Sequence, residues 1–148
     1  MEAPIVLQLR QASDRLTRRL AERLERAGVP PLAPSQILVL AVLDDADAPP
    51  AELARRFEMS RQSMQKHLDR LGALGFVVLK PNPSDRRSKL VTLTPDGARA
   101  AAVVVRLLDG FERRFEAALG SDAIHTLRRV LGADFDAILA TDQKASGG

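Results

Sequence analysis

Cysteine, tryptophan and tyrosine are all missing from these 148 residues, and five phenylalanines supply the whole aromatic content of 3%. Without thiols there is no disulfide, no thiolate metal site and no thiol-based redox sensing. Histidine is scarce too: His67 and His125 are the only two, and neither stands at helical spacing from another ligating side chain, so no metal site is expected. Long apolar runs are also lacking. Ile37 to Leu43 and Ala100 to Val105 fall far short of the roughly 18 to 20 residues of a membrane span. The stretch Ile5 to Leu7 lacks the charged flank and long apolar centre of a secretion signal, so a cytoplasmic protein without membrane contact is expected. No nucleophile-and-base constellation and no glycine-rich phosphate loop occurs, which argues against an enzyme and against a bound cofactor.

What is present is enough for a real core. A hydrophobic fraction of 45% over a length typical of one domain leaves no room for a second large module, so residues 1–148 read as a single chain unit. The overall charge is only +3, but it is unevenly spread. Residues 55–89 hold nine basic side chains against three acidic ones, a local +6 that leaves −3 on the remainder. Positive charge gathered in one stretch is the footprint required for contact with phosphate.

Apolar residues at spacings of three and four, from Ile5 through Leu9, Ala12, Leu16 and Leu20 to Leu24, predict an amphipathic helix over 5–27 that Gly28, Pro30 and Pro31 end. A second helix is expected from Pro34 through Leu43, and a short third from Ala51 to Glu58. Met59 and Ser60 separate that third helix from the next, which makes the pair a helix-turn-helix. In the fourth helix Ser60 is the expected cap, Met64, Leu68, Leu71 and Leu74 form a core stripe, and Gly75 supplies the stop. Val77 to Lys80 and Lys89 to Leu93 predict a β-hairpin, with Pro81 to Ser88 as its basic tip. Thr94, Pro95 and Asp96 then start a long helix to about Leu119. Gly120 ends that helix, and Ser121 is expected to cap another whose face runs from Ile124 and Leu127 through Leu131 and Phe135 to Ile138 and Leu139. Residues from about Lys144 should fray. The fold class is thus mainly α (α+β): a winged helix-turn-helix over 34–94, with helical regions 5–27 and 95–142 whose surplus apolar stripes call for a partner, most simply a second copy of the chain. A monomeric bundle is the alternative.

The polar face of the fourth helix carries side chains matched to base edges. Gln62 and Gln65 offer the paired donor and acceptor that adenine requires, and Arg61 can fork onto guanine. Lys66, Ser60 and Ser63 suit backbone oxygens. In the hairpin tip Arg86, Arg87 and Lys89 crowd around one acid, Asp85, a cluster that gains most against a polyanion. An ion pair between Asp85 and Arg87, two apart on an extended strand, would aim the guanidinium at DNA. His67, at the border of the core stripe, is expected to pack or to touch phosphate.

Pro83-Ser84-Asp85-Arg86-Arg87, followed by Leu90-Val91-Thr92-Leu93-Thr94-Pro95-Asp96-Gly97, resembles the wing of the MarR family of bacterial transcriptional regulators. Glu52-Leu53-Ala54, Ser60-Arg61-Gln62-Ser63, Leu68-Asp69-Arg70-Leu71 and Leu74-Gly75-Phe76-Val77 resemble that family's helix-turn-helix. The resemblance implies a homodimer on a pseudo-palindromic double-stranded operator, with a recognition helix in each of two successive major grooves and Arg87 in the flanking minor groove. It also implies a repressor that releases DNA when a small aromatic or phenolic acid binds. The implied ligand cleft falls on Leu16, Val42, Leu107 and Phe111, with Arg15 and Arg19 placed to meet an acid; alternatively those apolar residues are simply core. The chain departs from the family pattern at Asn82, where an acid is frequent, and at Ala33, which costs the second helix a cap. The reading from another class is a winged-helix protein-interaction module without operator binding.

Overall fold

The computed structural model describes residues 1–140. In chain order the elements are α1 (Ile5–Arg26), α2 (Pro34–Asp45), α3 (Pro50–Arg56), α4 (Arg61–Ala73), β1 (Val77–Pro81), β2 (Lys89–Leu93), α5 (Pro95–Leu119), α6 (Ser121–Leu131) and α7 (Phe135–Ala140). The expected helical region 95–142 and the frayed end from Lys144 extend beyond the described residues. The chain divides into two compact units, one up to Asp109 and one from Gly110 onward.

The first unit owns the core. Ile37, Val39 and Leu40 of α2, Leu53 of α3, Met64 and Leu71 of α4, Val91 of β2 and Val104 of α5 are at most 1% exposed. Leu20 and Leu24 of α1 join them. Each such side chain contributes on the order of 1.5 to 3 kcal/mol through burial. α1 buries only those two: of the rest of its apolar face Ala12 is half-buried while Ile5, Leu9 and Leu16 stay exposed, as do the neighbouring Val6 and Leu7. α2 starts without a capping side chain, as Ala33 requires, yet the Ala33 N–H is satisfied by Gln36 Oε1 at 2.9 Å, half of a capping box.

β1 and β2 are antiparallel, pairing Val77 with Leu93, Leu79 with Val91 and Pro81 with Lys89. Ala48 adds a one-residue bridge on the far side of β2, where the Val91 N–H donates to Ala48 O at 2.8 Å. Between α4 and β1 the chain reverses at Gly75, whose φ of +75° lies in the left-handed region that a Cβ disfavours. Thr94 then ties hairpin to helix. Its N–H donates to Phe76 O at 3.0 Å, its hydroxyl donates to Gly75 O, and the same hydroxyl oxygen caps α5 by accepting from Gly97 N–H at 3.0 Å. Gly97 is required there because an added Cβ would collide with the Phe76 carbonyl.

In the second unit the ends of α5 and α6 are joined by an Arg128–Glu112 ion pair at 2.6 Å and by Ser121 Oγ donating to Glu116 Oε1 at 2.7 Å. Two sequence expectations change here. Ser121 does not cap α6; the N-cap is Gly120 (φ 88°), and the Ser121 hydroxyl is turned back to Glu116. The single last helix is in fact two, because Gly132 closes α6 and Asp134 caps a fresh start by accepting from Ala137 N–H at 2.9 Å. No side chain of α6 or α7 is buried, and Leu127, Val130, Leu131, Phe135, Ile138 and Leu139 are between 46% and 68% exposed.

Candidate nucleic-acid interface

α3 and α4 are clamped by Leu53, Ala54, Met64 and Leu71, so the opposite face of α4 has nowhere to go but solvent. Phe57 ends α3, Glu58 takes a left-handed φ of 50°, and Met59 N–H closes on Ala54 O at 3.0 Å. This three-residue corner sets the angle at which α4 leaves. Ser60 caps α4 as expected: its oxygen accepts from Ser63 N–H at 3.0 Å while its own hydroxyl donates to Ser63 Oγ at 3.0 Å. The Ser60 proton is therefore committed, whereas the Ser63 hydroxyl keeps its proton for an outside acceptor.

Arg61, Gln62, Ser63, Gln65 and Lys66 are all exposed on α4, beside the exposed cap Ser60. Gln65 is not loose: its Nε2 donates to Asp69 Oδ1 at 2.8 Å. A carboxamide has two N–H groups and an oxygen, so this bond leaves one donor and one acceptor, the pair a base edge such as adenine's would require, while restricting how the group turns. Beside it a groove of about 240 Å³ runs between α4 and the hairpin, lined by Leu68, Gly72, Val77, Leu79 and Val91.

The hairpin tip folds as turns, and this corrects the extended geometry assumed for Asp85 and Arg87. Asp85 Oδ1 accepts from the backbone N–H of Arg87 at 2.9 Å, and among the described residues its carboxylate makes no ion pair with the Arg87 guanidinium. The brace acts on the backbone. Asn82 does the rest: its Oδ1 accepts from Ser84 N–H at 3.0 Å and its Nδ2 donates to Ser88 Oγ at 2.9 Å, closing the base of the tip. Arg86, Arg87 and Lys89 remain exposed on this tied loop, three cations without an ion-pair partner among the described residues. Neither role of Asn82 was legible from spacing, although a short polar residue flanking Pro-Ser-Asp is a general turn signal.

Of the residues expected to line a ligand cleft, Arg15, Leu16 and Arg19 are exposed on α1, with Leu16 at 40%. Val42 and Leu107 are half-buried in the first unit. Phe111 belongs to the second unit, half-buried, with its ring 6.5 Å from that of Phe115. Sequence reasoning also passed over Gln36. This buried residue of α2 reaches His67 of α4, Nε2 to Nδ1 at 3.2 Å. The only hint was a glutamine three residues after the N-cap position Ala33, the spacing of a capping box.

A short helix, a tight corner, an exposed polar helix and a cationic two-stranded wing define a winged helix-turn-helix protein. Residues 27–88 match the model of the MarR family. Over 49 residues the chain is 43% identical to the multiple antibiotic resistance protein MarR of Salmonella typhimurium, a match that spans 33% of this chain and 34% of that protein's length. The reduced form of MarR from E. coli superposes with a TM-score of 0.67 and 26% identity, covering 88% of this chain and 96% of that one. A cysteine-to-serine mutant of the same protein, crystallised in complex with operator DNA, gives a TM-score of 0.71 with 27% identity, covering 86% and 91%. The transcription regulator MarR from Oenococcus oeni shares the fold at a TM-score of 0.74 and 15% identity, over 86% of this chain and 96% of that one. The family match is confined to the winged-helix segment, and the likeness to the solved MarR structures carries the resemblance over most of the chain.

Proposed function

We propose that this protein is a homodimeric, sequence-specific transcriptional regulator that acts as a repressor on a pseudo-palindromic operator. The observation that carries this reading is the presentation, on one module, of Arg61, Gln62, Gln65 and Lys66 along the outer face of α4 and of Arg86, Arg87 and Lys89 on a backbone-braced wing tip. Gln62 and Gln65 read base edges, Lys66 and Ser63 hold phosphate, and Arg87 enters the minor groove beside the half-site. The exposed apolar faces of α1, α6 and α7 pair with a second copy, which supplies the second reading head. The operator complex of the E. coli MarR mutant supports the same mode of binding for this chain. A small aromatic or phenolic acid that meets Arg15 and Arg19 on α1 releases the DNA.

The test is binding to the DNA beside the protein's own gene across a salt series. A dimer that neutralises several phosphates gives a log-log decline with a slope of about −0.9 for each. Footprinting should show half-sites about 10 to 11 base pairs apart. Salt-insensitive or undetectable binding sinks the regulator and leaves the protein-interaction module as the better reading.

A further inference from the structure

Gln36 is the one polar side chain in the buried set among the described residues, 8% exposed, and both ends of its carboxamide are engaged. Ala33 N–H can only donate, so its 2.9 Å bond identifies the Gln36 atom it meets as the oxygen. The NH₂ end then faces His67 Nδ1 at 3.2 Å. An amide NH₂ can only donate, so this contact is a hydrogen bond in the tautomer that leaves Nδ1 free to accept and carries its proton on Nε2. One buried side chain thus closes the first turn of α2, which Ala33 cannot cap, and grips the recognition helix beside Lys66 and one turn after Ser63.

We propose that Gln36 is a positioning residue for DNA reading: acting through His67, it sets the seating of α4 so that Gln62 and Gln65 reach their base edges. The proposal rests on the regulator reading above. The apolar stripe of Met64, Leu68 and Leu71 holds α4 against the core, but packing of that kind tolerates small slides and rotations. A directional bond from a rigid α2 to the flank of α4 removes that freedom, and discrimination between bases is sensitive to shifts of this size because each bidentate pair needs both atoms placed. Non-specific attraction to phosphate is far less sensitive to them.

The experiment uses the full chain. Long-range ¹H–¹⁵N spectra of the DNA-free protein read the His67 tautomer, and titrations against operator and random-sequence duplexes read discrimination. In the wild type the proton is expected on Nε2. Gln36→Met, of similar length but without hydrogen bonds, should release the tautomer and lower the ratio of operator to random-sequence affinity about tenfold, with random-sequence binding changed by less than about twofold. Gln36→Glu keeps an acceptor for Ala33 N–H but presents oxygen to Nδ1. It should move the proton to Nδ1 and restore most of the ratio. His67→Leu should match Gln36→Met, and the double variant should be no worse than either single one. A wild-type proton on Nδ1, or a Gln36→Met chain that discriminates as well as the wild type, overturns the proposal while leaving the regulator intact. A wild-type chain that shows no preference for the operator overturns the regulator reading instead, and the tautomer of the free chain still reports separately on the bond.

Discussion

Asp69 carries a negative charge on the face of α4 that is proposed to meet DNA, where it repels phosphate and at the same time holds Gln65. Those two roles pull in opposite directions. Asp69→Ala should raise affinity for random-sequence DNA, while operator preference falls because Gln65 is no longer oriented; titrations against the two duplexes at one salt concentration separate the effects. Gln65→Ala should lose about 1 to 3 kcal/mol at one base pair per half-site and leave the others alone, whereas Lys66→Ala should weaken every sequence about equally. Gly97 belongs to this scale as well. A methyl group there would overlap the Phe76 carbonyl, so Gly97→Ala must push the hairpin root away from α5 and should cost several kcal/mol, about 4 or more, in chemical denaturation. Residue identities on the reading face were legible in the sequence because composition and the 3.6-residue period decide which side is wet. The bonds among them were not, since Gln65 to Asp69, Asp85 to the Arg87 backbone and Gln36 to His67 depend on rotamers and on long-range seating.

The wing is a hairpin whose strands were read from β-branched residues and whose register follows from its turns. Its tip was misread as extended because ion-pair reasoning over two residues ignores the alternative that a short carboxylate has, which is to take a nearby backbone N–H. Asn82→Ala should loosen the tip by removing both of its bonds, reducing operator affinity to the level of Arg87→Ala, with no change in the melting temperature beyond a few degrees. Equal loss in the double variant would show that Asn82 acts by holding Arg87. At the junction with α5, Thr94→Val removes a cap and the bond to Gly75 together, at a cost of about 1 to 2 kcal/mol. The last helix was read as continuous because its apolar period survives the break. Periodicity reports which face is apolar and is blind to a one-turn interruption at Gly132.

For the whole molecule the largest expectation concerns assembly. The described second unit buries no side chain of α6 or α7, and Leu127, Val130, Leu131, Phe135, Ile138 and Leu139 there, like Ile5, Val6, Leu7 and Leu9 on α1, are large apolar side chains left exposed for a partner to cover. Leu127→Glu combined with Leu131→Glu should turn the proposed dimer into a monomer in sedimentation. The salt slope on operator DNA should fall to about half, because one reading head remains. This surplus was evident from sequence alone, since three long amphipathic helices exceed what a small winged core can cover.

β2 is held on both flanks, by β1 along its length and by Ala48 through the Val91 N–H, so the root of the wing is stitched independently of its tip. Residues 82–88 are therefore expected to behave as an exchangeable cassette. Tips of other lengths and charges should graft between Pro81 and Lys89 without lowering the melting temperature by more than a few degrees, and under the proposed function such grafts would retune flanking-sequence tolerance while α4 stays as it is.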